Sequence, residues 1–434
     1  MGGVGQRIRE LRKAAHLTQQ ELADGVVTRS YISQIEKGMI QPSYDTLEKL
    51  ANKLSVPVED FFKEPENMAL LVTDAKKYIR FAEGQVESGQ REQAKRTLEN
   101  VKPEALDELN DFDLGLLTWV RGALLEDTDR DEAIGYFHRS LEHLSNVMYV
   151  KERVRTLNSL GYVHSVVRRD DQAIKTLNEA YELVLQHQVG GLIKVSVLVN
   201  LGLAHAKIEE YQSAVRLLTE ALEINRQTEA HYKSGHIFGG LALCYMFTDQ
   251  WERSEELYRR AIDFYRAQED IYHVGANYLN LGIQYRKRGM LQEAQEATRT
   301  SIHWLTMNQR EKGSLGNAWL EMAMVYLELG QLEQADEAYE KSLAVDSTGR
   351  NEAFGFEVKA ARARVQQDEQ QALFFLGKAY VKYKELGLKR EIRDIERSLT
   401  QPLLSWASSV PSSSAPEADL MRQIGAHIFT LDPR

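Results

Sequence analysis

The sequence predicts an all-α protein: a small five-helix domain followed by a right-handed superhelix of about eight helix hairpins. Three observations carry this reading. Only eight of 434 residues are proline, the residue that helix interiors exclude, against abundant Ala, Leu, Glu, Gln and Arg. From Ala94 through Ala133, Ala173, Ala214, Ser254, Ala294 and Ala335 to Ala372, small residues recur every 37 to 41 positions, a regularity that marks a repeat array. The first sixty residues lack this period and instead carry short, capped apolar segments.

The first domain follows element by element. IRELRKAAH places Ile8 and Leu11 on one face, so residues 4–15 read as the first helix. Thr18 caps the second, and Glu21 three residues later completes a capping box. Gly25 ends that helix and Thr28 caps a third, with Ile32 and Ile35 inward and Arg29, Ser30, Ser33 and Gln34 outward, Tyr31 lying at the edge. Gly38 closes it, Pro42 and Ser43 start a fourth, and VPVEDFF makes a short fifth.

Arg and Gln near the start of a helix in the major groove form bidentate hydrogen bonds to guanine and adenine edges. Arg29 and Gln34 are therefore the expected base readers, with Ser30, Tyr31 and Ser33 beside them. Gln19, Lys37, Ser43 and Tyr44 are placed to meet phosphates, which fix position without specifying sequence. Charge agrees with this division. The whole chain carries −10, yet residues 1–63 carry +1, so contact with double-stranded DNA is confined to one end.

LTQQELA, SYISQIEKG, PSYDTLEKLANKL and VPVEDFF, in that order, resemble the Xre/Cro family of repressor-type helix-turn-helix domains. One departure is a turn shortened by one residue, Ala23 to Ile32 being nine positions. The same shortening resembles peptide-pheromone receptors that carry this domain at their N-terminus.

Beyond residue 75, units such as LVNLGLAHAKIEEYQSAVRLLTEALEI pair a small residue (Gly161, Gly202, Ala242, Gly282, Ala323) with another twelve positions later. Each is a helix hairpin whose small residues permit close approach. The pattern L-G-x-x-Y followed by A-x-x-x-[YL]-x-x-A resembles tetratricopeptide repeats, with a period near 40 that calls for longer helices or turns. Stacked hairpins of this kind form a concave wall that takes extended peptides. If the first helix of each hairpin lines it, the wall includes Arg155, Asn158 and Tyr162, then Asn200 and Lys207, Met246 and Phe247, Asn280, Ile283, Arg286 and Lys287, and Asn317. Asparagine is unfavourable inside helices. Recurring Asn therefore points to peptide-backbone contact, with Arg155 or Arg286 receiving a terminal carboxylate; the alternative is that these amides stabilise the hairpins or meet water.

The domain plan is thus 1–63 helix-turn-helix, 64–74 linker, 75–399 repeats, and 400–434 a Ser/Pro-rich linker with a C-terminal helix. Taken whole, it resembles the RRNPP quorum-sensing receptors, most closely their NprR-like members. That resemblance implies a short re-imported signalling peptide that switches DNA binding or oligomeric state. It also implies a homodimer or larger assembly on paired half-sites, and a response regulator as an alternative partner of the repeats. The N-terminus lacks a signal-peptide core, no apolar run approaches the roughly 18 residues of a membrane span, and Cys244 is the only cysteine. A cytoplasmic, reduced protein with no membrane partner is expected. The eleven histidines lack metal spacing, and no nucleophile and base can be assembled. No metal, cofactor or enzymatic activity is expected.

Overall fold

The computed structural model describes residues 4–62, 68–307, 313–345, 349–388, 391–399 and 424. Among the described residues there are helices and no strand. The head holds α1 (Val4–Ala14), α2 (Gln19–Ala23), α3 (Arg29–Glu36), α4 (Tyr44–Leu54) and a 3-10 turn at Val58–Phe61. There follow α5 (Met68–Glu87), α6 (Arg91–Leu98), α7 (Asp111–Leu125), α8 (Arg130–His143), α9 (Val150–Val166), α10 (Asp170–Gln186), α11 (Gly191–Lys207) and α12 (Tyr211–Gln227). The chain continues through α13 (Ser234–Phe247), α14 (Trp251–Ala267), α15 (Ile271–Lys287), α16 (Leu291–Met307), α17 (Gly313–Glu328), α18 (Leu332–Val345), α19 (Gly349–Val365) and α20 (Glu369–Glu385). Two compact units result, Met1–Asp127 and Thr128–Arg434.

In the first unit the head closes on Ile8, Leu22, Ile32, Ile35, Leu50 and Phe61, each at most 1% exposed. The expected fifth helix is one 3-10 turn instead. Pro57 fixes its start, and its bonds run Asp60 to Pro57 and Phe62 to Glu59, leaving Phe61 to anchor it. Helix α5 begins at Met68, inside the stretch expected as linker, because Leu71 and Val72 already pack on the apolar cluster shared with α7.

The second unit is a helical-repeat superhelix. From α9 to α12 every helix is 17 residues long and each hairpin turn spans three residues, so the long period comes from the helices. Each of these turns carries one residue in the left-handed region, here Arg168 and Glu209, which releases the chain from one helix into the next. Every second-helix small residue, Ala173, Ala214, Ser254, Ala294, Ala335 and Ala372, is fully buried. A Cβ added at Gly161 would stand 2.5 Å from Leu177, and one at Gly202 2.9 Å from Leu218. The hairpins are as close as they can be.

Successive odd-numbered helices from α9 to α19 touch one another, whereas the even-numbered ones make their main contacts with the odd. Neighbours are closest on the shorter circumference, which puts α9, α11, α13, α15, α17 and α19 on the inner wall. The expected C-terminal linker and helix lie outside the described residues, apart from Ile424, which is buried with Leu376, Tyr380 and Ile395 at the end of the array.

Ala214→Leu forces a larger side chain into a fully buried slot. An overpacking cost of about 1–3 kcal/mol is expected, read as faster hydrogen exchange confined to α11 and α12 and their neighbours.

Candidate nucleic-acid interface and repeat interior

Helix α3, the expected reading helix, is placed by its caps and by one close crossing. Thr18 accepts from the Glu21 amide at 3.2 Å while Glu21 accepts from the Thr18 amide at 2.6 Å, closing the capping box. The Thr28 hydroxyl accepts from the Tyr31 amide at 3.3 Å and starts α3. At Gly5 a Cβ would overlap the Ile35 carbonyl, so glycine lets α1 cross α3. The short turn between α2 and α3 is held by Val26 and Val27, whose amides donate to the Ala23 carbonyl while their side chains pack on the core.

With α3 so fixed, Arg29 and Ser30 stand exposed at its first two positions, and Lys37 is exposed at its C-cap. Ser33 and Gln34 are half-buried, and Tyr31 leans on the head's core. Tyr44 is exposed, whereas the Ser43 hydroxyl caps α4 by accepting from the Thr46 amide at 3.3 Å. Gln19 also reaches behind α3, where its Nε2 donates to Glu36 at 2.7 Å, which orients its remaining oxygen.

The back of α3 holds a feature that sequence reasoning missed. Arg12 grips Glu36 with Nε–Oε1 at 2.6 Å and Nη2–Oε2 at 3.1 Å, and also donates to the Leu17 carbonyl at 2.7 Å. Both residues are buried. Burial pushes the Glu36 carboxyl up, but hydrogen bonds from Arg12 and Gln19 outweigh this and hold it below its ordinary value. The signal was present: Arg12 and Glu36 each fall four residues after a core isoleucine, Ile8 and Ile32, where a charge needs a partner.

In the repeat interior the structure brings two predicted asparagines together. Asn200 Nδ2 donates to Asn158 Oδ1 at 3.0 Å, Asn158 Nδ2 donates to Ser196 at 3.0 Å, and Lys233 Nζ donates to Asn200 Oδ1 at 3.3 Å. This ladder ties α9 and α11 to the residue preceding α13. Sequence reasoning found the amides and missed Lys233. Each amide retains hydrogen-bonding capacity beyond these contacts. Asn280 and Asn317 are half-buried and make no side-chain hydrogen bond among the described residues. Tyr162 is 40% exposed and Arg155 half-buried on α9, while Lys207 pairs with Asp170 at 2.8 Å.

Arg286 is engaged within the chain, to Glu321 at 2.6 Å and Glu328 at 2.8 Å. Burial opposes its charge, but the two carboxylates more than compensate and keep it ionised. Met246, expected on the wall, is core instead, since it lies one turn beyond buried Ala242 on the same face. Phe247 stacks on Tyr211 with ring centres 5.4 Å apart, and Lys287 lies 4.7 Å from its ring. Ile283 packs against the cluster of α17 and α18. No group of three His, Cys, Asp or Glu side chains among the described residues is arranged to hold a metal ion, and no helix is long and apolar enough to cross a membrane.

Residues 8–61 match the helix-turn-helix family model, and residues 152–227 and 316–348 match tetratricopeptide-repeat models. The immunity repressor protein of Bacillus phage phi105 is 45% identical over 56 residues, 13% of this chain and 39% of the repressor. The regulator PuuR of Escherichia coli is 36% identical over 63 residues, 14% of this chain and 34% of PuuR. The chain thus spans less than half the length of the curated relatives it matches. Among solved structures, the apo quorum sensor NprR from B. thuringiensis superposes with a TM-score of 0.63 at 16% identity, covering 82% of this chain and 99% of NprR. A Rap protein complexed with competence and sporulation factor gives 0.53 at 15%, covering 79% and 99%. The fold is shared with both.

Two outcomes test the buried pairs. Glu36→Ala strands a buried guanidinium, with an expected cost of about 3–5 kcal/mol read by hydrogen exchange of α1–α4. Since the folded Glu36 value lies below the unfolded one, its contribution is complete above the ordinary carboxylate range and lost as pH falls through the folded value. Glu36→Gln should remove that part of the acid dependence. Arg286→Met should loosen α15 and α17 by about the same amount, and adding Glu321→Met should recover much of it.

Proposed function

We propose that this chain, which carries the Xre-type helix-turn-helix head and tetratricopeptide array that make up the domain plan of the RRNPP receptors, is a peptide-responsive transcriptional regulator. The observation that carries the reading is the reading face of α3, with Arg29 and Ser30 exposed on a helix locked from behind by Arg12 and Glu36. Rigid placement is what base readout requires, because a hydrogen bond to a base edge is useful only if its donor arrives in register.

The repeats are the sensor. A short extended peptide lies along α9, α11, α15 and α17, its backbone held by the spare capacity of Asn158 and Asn200 and by Asn280 and Asn317, with Tyr162 and Lys207 at the edge. Its terminal carboxylate goes to Arg155 rather than Arg286, whose charge Glu321 and Glu328 already neutralise. Binding at several hairpins at once favours one superhelical pitch or subunit arrangement, and so changes whether two heads can span paired half-sites. That differential contact is the switch.

The test is binding of the purified protein to the DNA upstream of its own gene, with and without a small-peptide extract of spent culture medium. Arg29→Ala should cost about 1–3 kcal/mol and relax preference at one base pair, whereas Lys37→Ala should weaken all sequences alike and lower the salt slope by about one. The extract should change affinity or complex size, and Asn200→Ala should blunt that response. DNA binding that is specific yet indifferent to peptide, together with capture of a response regulator by the repeats, would replace this reading with a phosphorelay modulator.

A further inference from the structure

The inner wall does not end at α19. Residues 391–399 form one further helix, α21. At its start Glu391 pairs with Arg350 of α19 at 3.1 Å, and beyond it Glu396 accepts from Tyr380 Oη of α20 at 3.2 Å. Ile395 and Leu399 are buried with Leu376 and Tyr380. Helix α21 therefore stacks on the last hairpin as the first helix of another unit would. Its other flank makes a contact that this stacking does not explain, for Arg393 Nη2 lies 2.7 Å from Glu209 Oε1. Glu209 is the left-handed residue of the turn between α11 and α12, and its amide holds that turn by donating to the Ala206 carbonyl at 3.2 Å.

Four hairpins lie between α12 and α21. A unit in a stack of hairpins touches its neighbours, not a unit several places further on. Arg393 meets Glu209 because the curvature of the array brings its end back to the α11–α12 turn. The separation of these two residues sums the small rotations of every hairpin between them. A change of pitch too small to break any contact between neighbours therefore still parts this pair.

We infer that Arg393 and Glu209 form a latch that holds the ligand-free array at one superhelical pitch and parts when the array opens. This deepens the reading of a sensor in which peptide binding selects a pitch, and rests on that reading for its use. The two side chains are 49% and 24% exposed, and an ion pair so open to water shifts a balance between two states by only a few-fold. That weakness suits the role. A ligand overturns such a tie with a modest difference in affinity for the two pitches, whereas a buried pair such as Arg286 and Glu321 would hold against it.

The experiment measures the distance between spin labels at Gln212→Cys and Ser398→Cys in the full chain, diluted with unlabelled protein so that only separations within one chain are read. Both positions are exposed, and Cys244 is buried. The labelled chain should show mainly the short separation. Arg393→Glu or Glu209→Arg should raise the ratio of long to short separations about three- to tenfold, since attraction gives way to repulsion. The two combined should bring the ratio back to within about twofold of its starting value. Sodium chloride at about 1 M, where the screening length falls to about 3 Å, should open the parent and the combined variant alike. Circular dichroism should stay unchanged throughout. A parent chain found mainly at the long separation, single reversals that leave the distances unchanged, or a folded combined variant that stays open would each overturn the inference. The same labelled chain with a small-peptide extract of spent culture medium tests the sensor reading separately. A latch that passes the charge reversals without answering the extract sinks only the sensor, and an extract that alters DNA binding while the reversals move nothing sinks only the latch.

Discussion

The repeat region depends on one steric constraint, that two small residues face each other wherever a hairpin closes. At Gly161 and Gly202 there is no room even for a methyl group beside Leu177 and Leu218, and the alanines opposite are fully buried. Helices held this close bury leucine and tyrosine on both flanks, which supplies most of the stabilisation of a unit that could not bury its apolar face alone. In the fifth hairpin the slot holds serine rather than alanine. Its hydroxyl reaches the Ala242 carbonyl at 2.7 Å, so the polar atom is satisfied without widening the gap.

Close packing also decides where charge is tolerated. Arg12 with Glu36 and Arg286 with Glu321 are both buried or nearly so, and each is anchored by bidentate or multiple hydrogen bonds. Such pairs add little net stability relative to well-packed apolar residues, yet losing one partner is costly. Their value is placement. The first fixes the back of the reading helix against α1 and Gln19; the second ties α15 to α17 at the same level of the inner wall.

Sensing asks for the opposite property, polar capacity that remains available. The ladder from Asn158 to Asn200 to Lys233 joins successive repeats, so the groups that the proposed peptide would engage are also links between repeats. A ligand that engages them acts on the spacing of hairpins directly. In the proposed reading, this is the physical route by which recognition along the wall would reach the helix-turn-helix head, since a superhelix built from nearest-neighbour contacts transmits a small change per repeat into a larger displacement at its end.

Much of this was legible in the sequence, because caps, glycines and period are local. Thr18 with Glu21, Thr28, Ser43, Gly25 and Gly38 marked the head's helices, and the recurring small residues marked each hairpin, since helix propensity and close approach act over a few residues. The outward face of α3 followed from the inward one. Tertiary structure alone decided what depends on partners far along the chain: that Arg286 is spent on Glu321 and Glu328, that Asn200 meets Asn158 forty-two residues away, and that Met246 turns into the core. It also decided that the long period lies in the helices rather than the turns. A single helix's pattern shows which face is polar but not which side chain on the next helix has already taken the hydrogen bond, and for an interior wall that distinction separates a binding group from a structural one.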